Sequence, residues 1–129
     1  MSFTLVPKRG DEVQVNAWNW RPTLELLLRE DLISEELYDR MGAQGTGGKV
    51  DAKLADQIAD TIDRTLKTMK PRERILADLR VTGRPKSKWV IRPEPRPDEI
   101  DVNDVYSATY EWLEKFAEFC RSSGGFEVH

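Results

Sequence analysis

Residues 51–70 read DAKLADQIADTIDRTLKTMK and form the clearest periodic stretch of the 129-residue chain. Apolar side chains recur through it every three or four residues, at Leu54, Ile58, Ile62, Leu66 and Met69. This spacing places them on one face of a helix, with charged residues on the opposite face. Lys70 precedes a proline, and helices usually end at such a residue. We therefore predict an amphipathic helix over residues 51–70 as a central element of the fold.

The chain before this helix predicts a β-hairpin followed by two helices. Residues 3–6 and 12–18 have extended character, the latter through alternation of apolar and polar side chains, and a turn separates them. Residues 22–29 predict a helix, because proline favours the first helical position and disfavours helical geometry in the residue before it. A shorter helix is predicted over residues 34–40, capped by its first serine.

The chain after the central helix predicts two more helices. Residues 71–80 predict a short one, and Asp101 is placed to cap the last, which ends at the Gly124-Gly125 pair. Residues 126–128 predict a strand that joins the N-terminal hairpin. The last helix is rich in aromatic residues, namely Tyr106, Tyr110, Trp112, Phe116 and Phe119. An aromatic surface of this width allows two interpretations, packing in the core and self-association.

Together these elements predict one domain over residues 1–129 with an α+β fold. We expect it to be mostly helical, with four to five helices and a small antiparallel sheet built from the hairpin and the C-terminal residues. The glycine-rich residues 42–49 predict a loop between helices. Their glycine spacing does not match that of a phosphate-binding loop.

Single cysteine and histidine residues exclude several classes of site. Cys120 has no second cysteine to form an intrachain disulfide, and its helical spacing from Phe116 predicts a buried core thiol. His129 is the sole histidine and the last residue, so the usual Ser-His-Asp and Cys-His mechanisms lack a well-positioned base. We therefore predict no catalytic residue, no metal site and no cofactor. No apolar run is long enough for a signal peptide or a membrane span, which predicts a cytoplasmic protein without a membrane partner.

Positive charge is concentrated in one part of the chain. Residues 64–96 carry a net charge of +8, whereas residues 1–63 carry −5 and residues 97–129 carry −6. Residues 82–97, here called the basic arm, also contain four prolines, which favour an exposed extended segment. The candidate binding residues in and beside this arm are Arg80, Arg84, Lys86, Lys88, Trp89 and Arg92.

The composition of the basic arm fits three roles. It can lie across the acidic helices of the same molecule or remain solvated, it can bind a protein partner, or it can bind nucleic acid. Trp89 among the cations could stack on a base or enter a pocket of a partner. The sequence pI of about 5.3 argues against a dedicated nucleic-acid-binding domain.

Two short motifs stand at the ends of the chain: NAWNWRP over residues 16–22 and FAEFCRSSGGFE over residues 116–127. They resemble the ends of a loose group of small bacterial proteins of uncharacterised activity. The resemblance implies a bacterial intracellular origin and no particular function. If Trp18 and Trp20 are extended, they project to the same side beside Arg21, which makes these three residues an alternative pocket.

The sequence as a whole favours a non-enzymatic intracellular interaction protein of the regulator, inhibitor or immunity type. In this hypothesis, the basic arm binds a protein partner. The first alternative is an accessory nucleic-acid-binding protein that uses the same arm. The second alternative is a small enzyme that uses a divalent cation held by the carboxylates of Asp98, Asp101 and Asp104.

Overall fold

A computed structural model describes residues 2–42, 47–83 and 106–129. Within these ranges the helices are α1 (Ala17–Arg29), α2 (Glu35–Met41), α3 (Ala52–Lys67) and α4 (Tyr110–Ser123). The strands are β1 (Ser2–Pro7), β2 (Val13–Asn16), β3 (Gly48–Asp51), β4 (Arg74–Leu76), β5 (Val81–Thr82), β6 (Ser107–Thr109) and β7 (Gly125–Val128). The α+β class is confirmed. The prediction of a mostly helical chain is not confirmed, because helices account for only 49% of the described residues and the strands form two sheets.

The larger sheet is antiparallel and has the strand order β2-β1-β7-β3. The predicted hairpin is confirmed as β1 and β2, and the predicted C-terminal strand is confirmed as β7. Strand β7 lies between β1 and β3, with Leu5 and Gly48 both paired opposite Val128. Strand β3 includes the end of the glycine-rich stretch, so the predicted loop is shorter than expected. Both ends of the described chain are therefore joined in one sheet.

Helices α3 and α4 pack against each other and against one face of this sheet. The apolar stripe predicted for residues 51–70 faces the core, and Ile58 and Ile62 are fully buried. Asp51 caps α3 by accepting a hydrogen bond from the backbone N–H of Leu54, at 2.7 Å. Outside the core, the guanidinium of Arg121 on α4 pairs with the carboxylates of Asp60 and Asp63 on α3.

Helix α4 places its aromatic rings in the core. Trp112, Phe116 and Phe119 are buried, and the Phe116 ring packs on Phe126 of β7 with centroids 6.0 Å apart. Core packing accounts for these three rings, whereas Tyr110 is only partly buried and Tyr106 lies before the helix. Self-association stays a prediction. Cys120 is also buried, as predicted, and burial raises the pKa of its thiol above the ordinary value.

Helix α1 begins five residues earlier than predicted. Strand β2 runs directly into it, and the side chain of Asn16 accepts a hydrogen bond from the backbone N–H of Asn19 at 2.9 Å. This cap starts the helix at Ala17, so Pro22 lies inside it rather than at its first position. Pro22 is the sixth residue of the helix, so its missing N–H removes one intrahelical hydrogen bond.

Two further predictions are wrong for the same physical reason. Residues 71–80 form strand β4 and a turn instead of a short helix, and α4 begins at Tyr110 instead of near Asp101. Strand β4 pairs with both β5 and β6, and β6 occupies the residues directly before α4. Pairing between distant segments therefore overrides the local helical pattern. Asp101 itself lies outside the described residues.

Glycine is required at the turn between α4 and β7, and the two glycines there allow a test. Gly124 has φ +70°, and a Cβ added to it would meet only the side chain of Arg9, which can move. Gly125 has φ +108°, and a Cβ there would lie 2.7 Å from the carbonyl oxygen of Val50 in β3. We expect Gly124→Ala to cost about 1 to 2 kcal/mol of unfolding free energy and Gly125→Ala at least about 1 kcal/mol more. Urea unfolding measures both, and equal costs would contradict the close approach of β3 to β7.

Candidate binding site on helix α1

Trp18 and Trp20 lie on opposite sides of helix α1. Residues two apart in a helix are separated by about 200° around its axis, whereas in a strand they share a face. The side chain of Trp20 is accordingly 1% exposed and that of Trp18 is 38% exposed. The expectation that both indoles project to one side is therefore wrong, because these residues are helical rather than extended.

Trp20 joins α1 to α2 and α4. Its indole N–H donates a hydrogen bond to the carbonyl oxygen of Met41, at 2.7 Å, at the end of α2. Its ring meets Phe116 and Trp112 of α4 edge-on, with centroid distances of 5.4 and 6.4 Å. Next to this contact, the buried Thr23 hydroxyl accepts a hydrogen bond from the Trp112 indole N–H, at 2.9 Å. Both indole N–H groups are thus satisfied inside the core, as buried polar groups require.

A cavity of about 390 Å³ lies beside Trp20, between α1, α2 and Tyr106. Apolar side chains form much of its wall, namely Phe3, Ala17, Trp20 and Leu24. Its polar side chains are Arg21, Tyr38 and Tyr106. This combination of an apolar wall with a few polar groups is typical of binding pockets, and we call it the α1 cavity.

The rim of the α1 cavity consists of stacked side chains. The rings of Trp18 and Tyr106 have centroids 4.7 Å apart. The Arg21 guanidinium lies over the Tyr106 ring, with Cζ 5.0 Å from its centroid. Trp18 and Arg21 are three residues apart on α1, so they share one helix face and both reach Tyr106. These contacts hold the exposed guanidinium in place at the mouth of the cavity.

Tyr38 holds its hydroxyl proton against a neighbouring carboxylate. The hydroxyl donates a short hydrogen bond to Oε1 of Glu25, which lies on α1. Burial and this hydrogen bond raise the pKa of Tyr38 from 10.0 to about 12. Near neutral pH the hydroxyl is therefore neutral and its hydrogen is already committed to Glu25. Toward a ligand, the Tyr38 oxygen can act as a hydrogen-bond acceptor.

Of the remaining predicted site residues, Arg80 lies in the described part of the chain, and it does not line this cavity. Arg80 is exposed, and its Nε lies 2.6 Å from the Asp78 carboxylate. The other candidates of the basic arm lie outside the described residues, namely Arg84, Lys86, Lys88, Trp89 and Arg92. The carboxylates of the metal-enzyme alternative, Asp98, Asp101 and Asp104, also lie outside them. Of the alternative pocket, Trp20 and Arg21 line the cavity directly, and Trp18 contacts it through Tyr106.

The two tyrosines of the cavity are not among the predicted site residues. The predicted placement of Tyr106 on the aromatic face of the last helix is wrong, because that helix begins at Tyr110. Both reach α1 through contacts between distant parts of the chain. No local periodicity indicates such contacts, so the sequence contains no signal that would have identified these tyrosines.

A second depression, of about 620 Å³, lies between α3 and α4. Charged and polar side chains dominate its lining, and the carboxylates of Asp60 and Asp63 in it are already paired with Arg121. Its chemistry is thus that of an exposed ion-pair network. The α1 cavity, which combines apolar walls with a cation that has no carboxylate partner among the described residues, is the stronger candidate site.

Comparisons with protein-family models, with curated proteins and with solved structures gave no significant match to this chain. Within residues 2–42, 47–83 and 106–129, no three His, Cys, Asp or Glu side chains cluster as metal ligands would. In the same ranges, none of the helices combines the length and the apolar character needed to cross a membrane.

Because Trp20 is buried and Trp18 is partly exposed, substitutions at the two positions should change the free energy of unfolding by different amounts. Trp20→Phe removes the buried indole N–H, leaves the Met41 carbonyl without its partner and opens space in the core. We expect a loss of about 2 to 4 kcal/mol of unfolding free energy. Trp18→Phe keeps a ring to stack on Tyr106 and should cost less than about 1 kcal/mol. Chemical denaturation of both variants tests this, and similar losses would contradict the opposite placement of the two indoles.

The Tyr38–Glu25 hydrogen bond predicts a specific alkaline transition. The chain has three tyrosines, so we compare the tyrosinate absorbance of the wild type with that of Tyr38→Phe. The difference should be a single step centred near pH 12. Because the unfolded chain releases this proton near pH 10, stability should fall between about pH 10 and 12. Tyr38→Phe should lack that part of the fall. A difference step near pH 10 would contradict the assignment.

Proposed function

We propose that the protein is a non-enzymatic intracellular interaction protein that captures a protein partner, as a regulator, inhibitor or immunity protein does. The observation that carries this proposal is the α1 cavity, where Arg21 stands at the mouth of an apolar pocket and Trp18 and Tyr106 extend its rim. Tryptophan, tyrosine and arginine are the residue types that dominate the energetics of protein interfaces. Their concentration around one cavity supports a binding role.

The chemistry of the cavity favours binding over catalysis. Tyr38 is neutral and hydrogen-bonded to Glu25, so it is a poor general base near neutral pH. Arg21 offers only N–H donors and suits electrostatic contact with an anion rather than proton transfer. The sole cysteine, Cys120, is buried away from this cavity, in the core. An apolar wall with one fixed cation suits recognition of a side chain from a partner.

Chain connectivity supports joint use of the α1 cavity and the basic arm. The arm begins at Thr82, the last residue of strand β5, and ends at Pro97, nine positions before Tyr106 in the sequence. Strand β5 and strand β6, which follows Tyr106, both pair with β4 in the smaller sheet. In this proposal the arm supplies the positive charge that attracts the partner, and the cavity supplies the anchoring contact.

Nucleic acid remains the second candidate partner, because the arm alternates cations with Trp89. The two candidates differ in how affinity responds to salt. Each phosphate contact releases counterions, so binding to nucleic acid should weaken steeply between low and physiological salt. Capture of a protein through an apolar anchor should change much less over the same range.

Capture by the immobilised protein from lysate of its native host tests the proposal. The arm variant replaces Arg84, Lys86 and Lys88 with Glu, and the matched control replaces three exposed lysines outside the arm, Lys53, Lys67 and Lys115, with Glu. Both changes alter the net charge equally. We expect the wild type and the control to retain one stoichiometric protein that survives nuclease treatment. The arm variant should lose this protein without a change in melting temperature.

Two outcomes of this experiment would contradict the proposal. Equal capture of the partner by the arm variant and the control would show that the basic arm is not needed for binding. Recovery of nucleic acid that disappears after nuclease treatment, without a stoichiometric protein, would replace the protein partner with the second candidate.

A further inference from the structure

We propose that the α1 cavity recognises the carboxyl-terminal residue of the partner chain, with Arg21 binding its carboxylate and the apolar wall taking a large apolar side chain. This inference rests on the proposed function and specifies the chemistry of the partner. A carboxyl-terminal residue presents three groups together: a carboxylate, a side chain and one backbone N–H.

The carboxylate is matched by Arg21. It is the single charged side chain among the described residues that line the cavity. Its Cζ lies over the Tyr106 ring, and no carboxylate among the described residues forms an ion pair with it, so the guanidinium is available for an anion. A guanidinium presents parallel N–H donors that fit a carboxylate in a bidentate arrangement. A single fixed cation at the mouth of the cavity therefore favours a ligand with one carboxylate close to its apolar side chain.

The side chain is matched by the wall of the cavity. Phe3, Trp20 and Leu24 contribute buried apolar surface to it. A volume of about 390 Å³ is at the small end of ligand pockets, which suits one large side chain and its main-chain atoms. Trp20 is held rigidly by its hydrogen bond to Met41, so this part of the wall is preformed and little ordering is needed on binding.

The backbone N–H is matched by Tyr38. Tyr38 lines the cavity and its hydroxyl hydrogen is engaged by Glu25, so toward a ligand its oxygen can act only as an acceptor. The negative charge of Glu25 next to it repels any anion, and because this repulsion grows with charge it disfavours a phosphate monoester more than a carboxylate. A carboxyl-terminal residue supplies an amide N–H for Tyr38 and a single negative charge for Arg21. An internal acidic residue carries its carboxylate on a separate side chain, farther from a neighbouring apolar group.

Four small probes separate these contributions, and binding is followed by chemical shifts of the ¹⁵N-labelled protein, including the Trp20 indole N–H. N-acetyl-phenylalanine carries the ring, the carboxylate and the amide N–H. Because a ligand of about 15 non-hydrogen atoms can gain only a limited binding free energy, we expect a Kd near the millimolar range. N-acetyl-phenylalaninamide lacks the charge and should bind at least tenfold more weakly. 3-Phenylpropionate lacks the amide and should bind with intermediate affinity. N-acetyl-aspartyl-phenylalaninamide has an internal carboxylate and a blocked terminus and should bind as weakly as the amide.

A variant pair assigns the binding to Arg21. Arg21→Met keeps a side chain of similar length but removes its charge. It should weaken the binding of N-acetyl-phenylalanine at least tenfold and leave the affinity for N-acetyl-phenylalaninamide unchanged. Arg40→Met removes an exposed cation on α2 that pairs with Glu36, and it should leave both affinities unchanged. Unchanged melting temperatures show that both variants are folded.

The outcomes separate this inference from the proposed function. Equal binding of the acid and the amide, or no binding of N-acetyl-phenylalanine by the wild type, overturns the assignment of the carboxylate. Equally tight binding of the aspartyl peptide overturns the assignment to a chain terminus. Either result leaves capture of a protein by the basic arm intact, because that experiment is read independently. Loss of capture in both triple-Glu variants would instead contradict a specific role of the basic arm, and it would not change what the probes show about the α1 cavity.

Discussion

The burial of Trp20 is the contact on which the rest of the structure depends. A buried indole N–H needs a hydrogen-bond acceptor. Trp20 donates to the carbonyl oxygen of Met41, and this hydrogen bond fixes α1 relative to α2. Its ring packs against Phe116 of α4 and, with centroids 6.4 Å apart, against Phe3 of β1. One side chain thus ties three helices to the larger sheet. The same contact fixes the next residue, Arg21, on the neighbouring surface.

Local patterns in the sequence predict the elements that are stabilised locally. The stripe from Leu54 to Met69 gives α3, the alternation around Val13 and Val15 gives the hairpin, and Gly124 ends α4 in the left-handed conformation. The same reasoning fails for residues 71–80. Their apolar spacing also fits a helix, and they become a strand because β6 offers them a partner from a distant part of the chain. Pattern analysis of one segment contains no information about such a partner.

The candidate site was predicted in part and for an incorrect geometric reason. Trp18, Trp20 and Arg21 were singled out as neighbours on an extended segment, whereas the Asn16 cap makes this segment helical. The helix divides their roles, because it turns Trp20 into the core and leaves Arg21 at the surface. Tyr106 completes the rim by stacking on Trp18, and this contact joins segments far apart in the sequence. A site of this kind is visible only after the helices are packed.

Under the proposed function, charge and shape contribute to recognition in different ways. The charge of +8 over residues 64–96 can accelerate encounter with an acidic partner, and such steering is screened within about 10 Å at moderate salt. In the same proposal the α1 cavity acts at contact distance, where the apolar group of the partner displaces water from the apolar wall. Under the proposed function, the arm therefore controls the rate of association and the cavity controls the rate of dissociation. Discrimination between acidic partners then falls to the cavity, because long-range charge attracts all of them alike.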